Sequence, residues 1–307
     1  ARTRAPEGGV STVAVSPRAF AALLLLAVMF SGNHIAARVA MDHGVDVITA
    51  VAARSLSTAA VVGVLVALRW RAGWRQPVLT ARQWRTMAAL GLLLAVQSAC
   101  LYAAVARLPV GLALLVFNTF PLWAAFGAWV LYRSRPERAV LIAMPVILAG
   151  LALALDIGGL SSGLDLRTRW AALGAGVGFA LAAAATFGLV LALTQHEVAA
   201  LDGPWRSFVS MAIVGALALA VALAGGGLHW PSAPAGWWGL ALLSLLYGSA
   251  FTMLFTLLPR LGAVGNSPIL NAEPVAALLL GWALLGQAVA PVQWAGALLV
   301  VGTVVAL

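Results

Sequence analysis

Apolar residues fill this chain in long blocks separated by short polar stretches, with little of the alternation that marks a half-buried strand. A membrane-spanning helix needs about 20 mostly apolar residues. Ten such runs occur, at 18–40, 47–68, 86–106, 109–132, 139–155, 170–193, 207–224, 236–258, 264–286 and 291–307. The pattern predicts an all-α integral membrane protein with ten transmembrane helices. The first run is too long for the apolar segment of a signal peptide. Asn33, His34 and Arg38 interrupt its end, so it reads as the first helix.

Composition sharpens this. The chain has 307 residues, of which 63% are hydrophobic and 9% charged, against about 25% charged in a soluble domain. The net charge of +9 suggests nucleic acid until its placement is considered. All 18 basic side chains are arginine. With a cytoplasmic N-terminus, 13 of them lie in inner segments, among them Arg69, Arg71, Arg75, Arg82, Arg85, Arg133 and Arg138, and 3 lie outside, Arg107, Arg167 and Arg169. That bias is the positive-inside pattern of a plasma-membrane protein with both termini cytoplasmic. Nine of the twelve tryptophans sit near run ends, as an interfacial belt requires. Cys100 is the single cysteine, which excludes an intrachain disulfide and leaves it a small packing residue. No metal or phosphate-binding motif occurs, and no cofactor is expected.

The two halves of the sequence resemble each other. "FNTFPLWAAFGAWVLY" (117–132) aligns with "LNAEPVAALLLGWALL" (270–285) at an offset of 153, matching Asn118 with Asn271, Pro121 with Pro274 and Trp129 with Trp282. Arg107 and Arg260 share that offset. Five runs per half is an odd number, so the second half enters the bilayer from the opposite side. The expected organisation is a first five-helix repeat (1–155), an external Gly- and Ser-rich linker (156–169), and an inverted second repeat (170–307).

"AEPVAALLLGWALLGQ" and the duplicated five-span halves resemble the EamA-type transporters of the drug/metabolite transporter superfamily, over essentially the whole chain. Within it the chain looks most like the YddG-like bacterial exporters of aromatic and other amino acids. The family often closes the ninth span with an acid, where this chain has Gln287. The resemblance implies spans 1–4 and 6–9 around a central cavity, with spans 5 and 10 peripheral. It also implies export of apolar and aromatic amino acids by alternating access, from a bacterial inner membrane. Expected partners are the amino acid and the lipid bilayer, with no nucleic acid, in a monomer or weak homodimer.

Intramembrane polar residues are the candidate site. Pro121 and Pro274 free the carbonyls of Phe117 and Leu270, which belong where protein or a wet cavity covers them. Asn118 and Asn271 lie near mid-membrane by depth, and can bind an amino acid or satisfy those carbonyls. Ser98 and Tyr102 share one face of the third run, and Ser244 and Tyr247 mark its repeat mate, so two related tyrosines can face one cavity. Asn33 and His34 complete the substrate-binding set. His34 reads as a hydrogen-bonding group before a proton site. Glu273 has three readings: it binds a substrate ammonium, carries a coupling proton, or is structural, bonded at the helix start that Pro274 opens or paired with Arg54. The structural reading is the expectation. Gly174 and Gly178 form a GxxxG that signals close helix packing.

Other classes fit less well. "GLSSG" (159–163) spells a nucleophile-elbow pattern, but in a loop between spans rather than at a strand–helix turn. No filter-like sequence suggests a channel. Nucleotide-sugars or sugar phosphates call for several cavity arginines, and only Arg38 and Arg54 lie within spans. A quaternary amine calls for several acids, and only Glu273 is available.

Overall fold

The structure is a computed structural model that describes residues 17–76, 78–134, 138–156, 166–256 and 273–306. These residues form eleven helices: α1 (Pro17–Asp42), α2 (Val47–Arg71), α3 (Ala81–Val105), α4 (Val110–Phe117), α5 (Phe120–Tyr132), α6 (Arg138–Ala154), α7 (Leu166–Glu197), α8 (Gly203–Ala224), α9 (Pro234–Thr256), α10 (Glu273–Leu285) and α11 (Pro291–Ala306). Each apolar run has its helix, and the fourth has two. The chain breaks at Asn118–Thr119, two residues ahead of Pro121, which sits in the first turn of α5. The break is the expected consequence of proline, which cannot donate to the preceding turn. Thr119 covers part of the exposed backbone, its hydroxyl donating to the Val116 carbonyl at 2.9 Å.

The packing has an approximate two-fold symmetry that relates the halves. The second span packs on the seventh (α2 on α8) and the fifth on the tenth (α6 on α11). The other contacts come in exchanged pairs: α1 with α9 matches α7 with α3, and α1 with α10 matches α7 with α5. Local geometry repeats at the offset of 153. Arg133 (φ 55°) and Gly286 (φ 63°) both end their helices in the left-handed region. Beyond them, Ser134 N–H donates to the Ala128 carbonyl at 3.4 Å and Gln287 N–H to the Gly281 carbonyl at 3.1 Å. These are equivalent closures of equivalent helices. The architecture is therefore the expected bundle of two inverted five-span repeats.

The outer surface of the bundle is apolar, and polar groups are found within its interior. Ile142, Leu148, Leu223 and Leu245 are exposed, while Ser31, Asn33, Ser55 and Thr58 are fully buried. Large aliphatic groups facing outward suit a hydrocarbon surround. Among the described residues six segments are long and apolar enough to cross a membrane, one of them α4 and α5 taken together, and Leu141–Ala154, Glu273–Leu285 and Pro291–Thr303 are shorter apolar helices. As the resemblance implies, α6 and α11 lie to one side and pack chiefly on each other. A Cβ on Gly296 would sit 2.4 Å from the Ala154 nitrogen and the Gly150 oxygen, so only glycine permits that approach.

Two expectations need correction. Gly178 has open space around it and Gly174 faces Trp170 of its own helix, so the GxxxG is not a packing seam. Close contacts on α7 are made instead by Gly176, against Leu108, and Gly188, against Trp123 and Ala124. The GxxxG lies on the exposed side of the same helix. Trp205, one of the nine tryptophans near run ends, is covered by protein and not by lipid, its ring edge-on to Trp84 at 5.8 Å.

Fixed charges cluster at one end, where α2, α3, α5, α7 and α8 meet. Arg69 grips Asp202 through two bonds of 2.9 and 3.0 Å, and Arg82 grips Glu197 through two of 2.7 Å. Tyr132 adds a bond to Glu197 at 3.0 Å. Asp202 also caps α8, accepting from Trp205 N–H. Each of these pairs joins the first repeat to the second at the arginine-rich end.

Candidate functional site

The site begins on α1, where Ser31, Asn33 and His34 are buried in an otherwise apolar helix. Ser31 and His34 stand three residues apart and so share a face. That face meets the first turn of α10. The Ser31 hydroxyl donates to the backbone carbonyl of Glu273 at 2.8 Å. His34 Nε2 stands 3.5 Å from Glu273 Oε1. Glu273 and Pro274 open α10, as expected for an acid and a proline at a helix start. The partner is new: Glu273 faces His34, not Arg54. The approach of α1 to α10 decides the pairing.

Asn33 turns toward α3. Tyr102, fully buried, donates its hydroxyl to Asn33 Oδ1 at 3.1 Å. The His34 ring meets the Tyr102 ring edge-on at 5.7 Å. Arg54 of α2 occupies the other side of Tyr102. Its guanidinium carbon lies 4.9 Å from the Tyr102 ring centre and 4.1 Å from that of Tyr247 on α9. One nitrogen, Nη2, donates to Ser98 at 2.7 Å, and Ser98 in turn donates to Gln97 at 3.3 Å. The two tyrosines thus share a centre, as the repeat suggested, and the group between them is an arginine. Cation–ring contacts of this kind hold a guanidinium in place where water is absent.

Three buried polar atoms in this cluster have no protein partner: Asn33 Nδ2, His34 Nδ1 and Arg54 Nε. Buried donors are ordinarily satisfied, so a group of them in one place marks a spot suited to a polar ligand. Arg38 does not contribute. It bonds Asp42 at 2.9 Å and the Val105 carbonyl at 2.9 Å, closing the end of α3.

Asn118 stands apart from these contacts. It is buried at the break between α4 and α5, and its Nδ2 has no partner, so its amide does not satisfy the carbonyl that Pro121 frees. Asn271 falls outside the described residues. The neighbours of the break are aromatic: Phe117, Phe120 and Phe187, with ring centres 5.1 to 5.6 Å apart. Neither this cluster nor Ser31 was singled out in the sequence. The offset of 153 would have found the first, since it carries His34 onto Phe187 and Glu273 back onto Phe120. The i−3 spacing from His34 would have found the second. Ser244 turns away from Tyr247 into a groove of about 460 Å³ between α2 and α9, lined also by Val61, Gly248, Ser249, Thr252 and Met253.

Known proteins resemble the chain in two ways. The EamA-like transporter family matches residues 18–155 and again 174–307, once per repeat. Among solved structures, one described only as "Crystal structure of protein" superposes with a TM-score of 0.58 at 19% identity, covering 94% of this chain and 96% of its own. At that identity the likeness supports the fold alone. None of the curated proteins matches.

Proposed function

The chain belongs to the EamA-like transporter family, and on that premise we propose that it exports amino acids, aromatic and other apolar ones, by alternating access. Membership makes it a multi-pass membrane transporter; the cargo is the inference. The observation that supports it is the buried centre, where Asn33, His34, Tyr102 and Tyr247 gather with unpartnered amide and imidazole nitrogens among aromatic rings. One buried arginine and one buried glutamate, not paired with each other, offer opposite charges to a ligand, which suits a zwitterion better than a phosphate or a quaternary amine. Asn118, at the break between α4 and α5, and its sequence mate Asn271 complete the proposed substrate site. The YddG-like exporters remain the branch whose cargo fits this chemistry.

The proposed setting is a bacterial inner membrane with both termini cytoplasmic, supported by the 13-to-3 arginine split. The protein would act as a monomer or weak homodimer. Uptake by liposomes holding the purified protein, challenged with amino acids, a sugar phosphate and a quaternary amine, tests the cargo. Amino acids should move and the others should not; uptake of the sugar phosphate alone would replace this reading.

A further inference from the structure

Arg54 carries a positive charge that no carboxylate among the described residues contacts. Its side chain is buried, at 3% exposure. Among the described residues no carboxylate lies within 4.0 Å of it. The sequence offers little else. Of the nine acids only Glu273 lies within an apolar run, and His34 faces it. Residues 257–272, which connect α9 to α10, contain no acid. The acids at the helix ends, Asp42, Glu197 and Asp202, are held by Arg38, Arg82 and Arg69.

A buried cation without a counter-ion is costly, and two tyrosine faces and one serine offset only part of that cost. The tyrosines nevertheless fix the guanidinium from two helices, one in each repeat, and leave Nε–H unbonded. Asn33 Nδ2 is likewise unbonded, and its Oδ1 is tied to the same Tyr102 that lies beneath Arg54. Two free donors, one of them cationic, thus flank one tyrosine.

We propose that Arg54 and Asn33 form the carboxylate-binding subsite of the substrate site. The Arg54 Nε–H and the Asn33 amide donate to the oxygens of a substrate carboxylate, which supplies the missing negative charge. The subsite rests on the amino-acid reading and refines it: the cargo must carry a carboxylate, and the two tyrosines hold the cation that receives it. Because His34 faces Glu273, Arg54 is left available for this role.

The test uses three probes that share a benzyl group: phenylalanine, 3-phenylpropionate (a carboxylate without an ammonium) and phenethylamine (an ammonium without a carboxylate). Each is assayed for thermal stabilisation of the purified protein and for competition in liposome counterflow. Phenylalanine and 3-phenylpropionate should bind, and phenethylamine should bind at least about 10-fold more weakly, the usual cost of losing a hydrogen bond to a charged group. Arg54→Gln should abolish that discrimination by raising the KM for phenylalanine, with Arg54→Lys restoring part of it. Equal binding of phenethylamine and phenylalanine would overturn the subsite and leave amino-acid transport standing. Binding of 3-phenylpropionate but not phenylalanine would support the subsite and overturn the amino-acid reading. Should Arg54→Gln fail to fold, the probe comparison on the native protein still decides.

Discussion

His34 facing Glu273 and Phe187 facing Phe120 occupy equivalent places in the two halves. The offset of 153 relates them, and in each pair one residue comes from the first span of a repeat and the other from the fourth span of the opposite repeat. The first contact is an imidazole 3.5 Å from a carboxylate; the second is two rings edge-on with centres 5.1 Å apart. Identical architecture therefore supports polar chemistry on one side of the pseudo-two-fold and aromatic packing on the other. Positions kept alike across the halves, such as the prolines and the left-handed helix ends, shape the helices. Positions that differ supply the site.

The largest effect expected concerns the inversion itself. In a Cys100→Ser background, Ala288→Cys at the end poor in arginine should react fully with an impermeant maleimide applied outside cells, and Ala72→Cys at the arginine-rich end should not react. Reversed labelling would invert the proposed orientation and reassign the two faces of the comparison.

Next comes an attempt to make the aromatic side polar. Phe187→Asp places an unpaired carboxylate among rings, at a cost of at least about 2.5–3.5 kcal/mol on insertion scales. The yield of monodisperse protein by size-exclusion chromatography should fall severely. Phe187→His with Phe120→Glu, which copies the polar pair, should recover much of it. Equal yields for the two variants would show that pairing does not govern this contact.

Glu273→Gln should have a moderate effect. The amide can still meet His34, and the Ser31 bond to the Glu273 backbone is untouched. Folded yield should drop by the equivalent of about 1–2 kcal/mol, while the surviving protein transports with an unchanged pH profile. Loss of proton-driven uptake with downhill exchange retained would make Glu273 a coupling group instead.

The smallest effect tests the helix ends. Arg133 holds φ 55° where its mate is Gly286 at φ 63°. A side chain in the left-handed region costs roughly 1–2 kcal/mol, so Arg133→Gly should raise the thermal midpoint slightly and Gly286→Ala should lower it. Shifts of the same sign would mean that the two ends are not equivalent.

Much of this was legible in the sequence because it rests on long apolar runs and on residues with a single strong local preference. The runs located each helix, and Pro121 located the break in the fourth. The repeat followed from matched Asn, Pro and Trp at one offset. Side-chain partners were harder, since they depend on how helices rotate against one another. Glu273 was matched to Arg54 by depth, yet its neighbour is His34, because α10 packs on α1. The GxxxG misled for the same reason: its spacing places two glycines on one face, but not which face meets a neighbour.

The central claim is that the centre joining Asn33, His34, Tyr102 and Tyr247 is where an amino acid binds. Counterflow of labelled phenylalanine in liposomes tests it most directly, comparing Asn33→Ala with Ser244→Ala, which changes only the groove between α2 and α9. The prediction is a fall of about 10-fold or more for Asn33→Ala and wild-type exchange for Ser244→Ala. Wild-type exchange by a folded Asn33→Ala, or its loss on Ser244→Ala alone, would contradict the account.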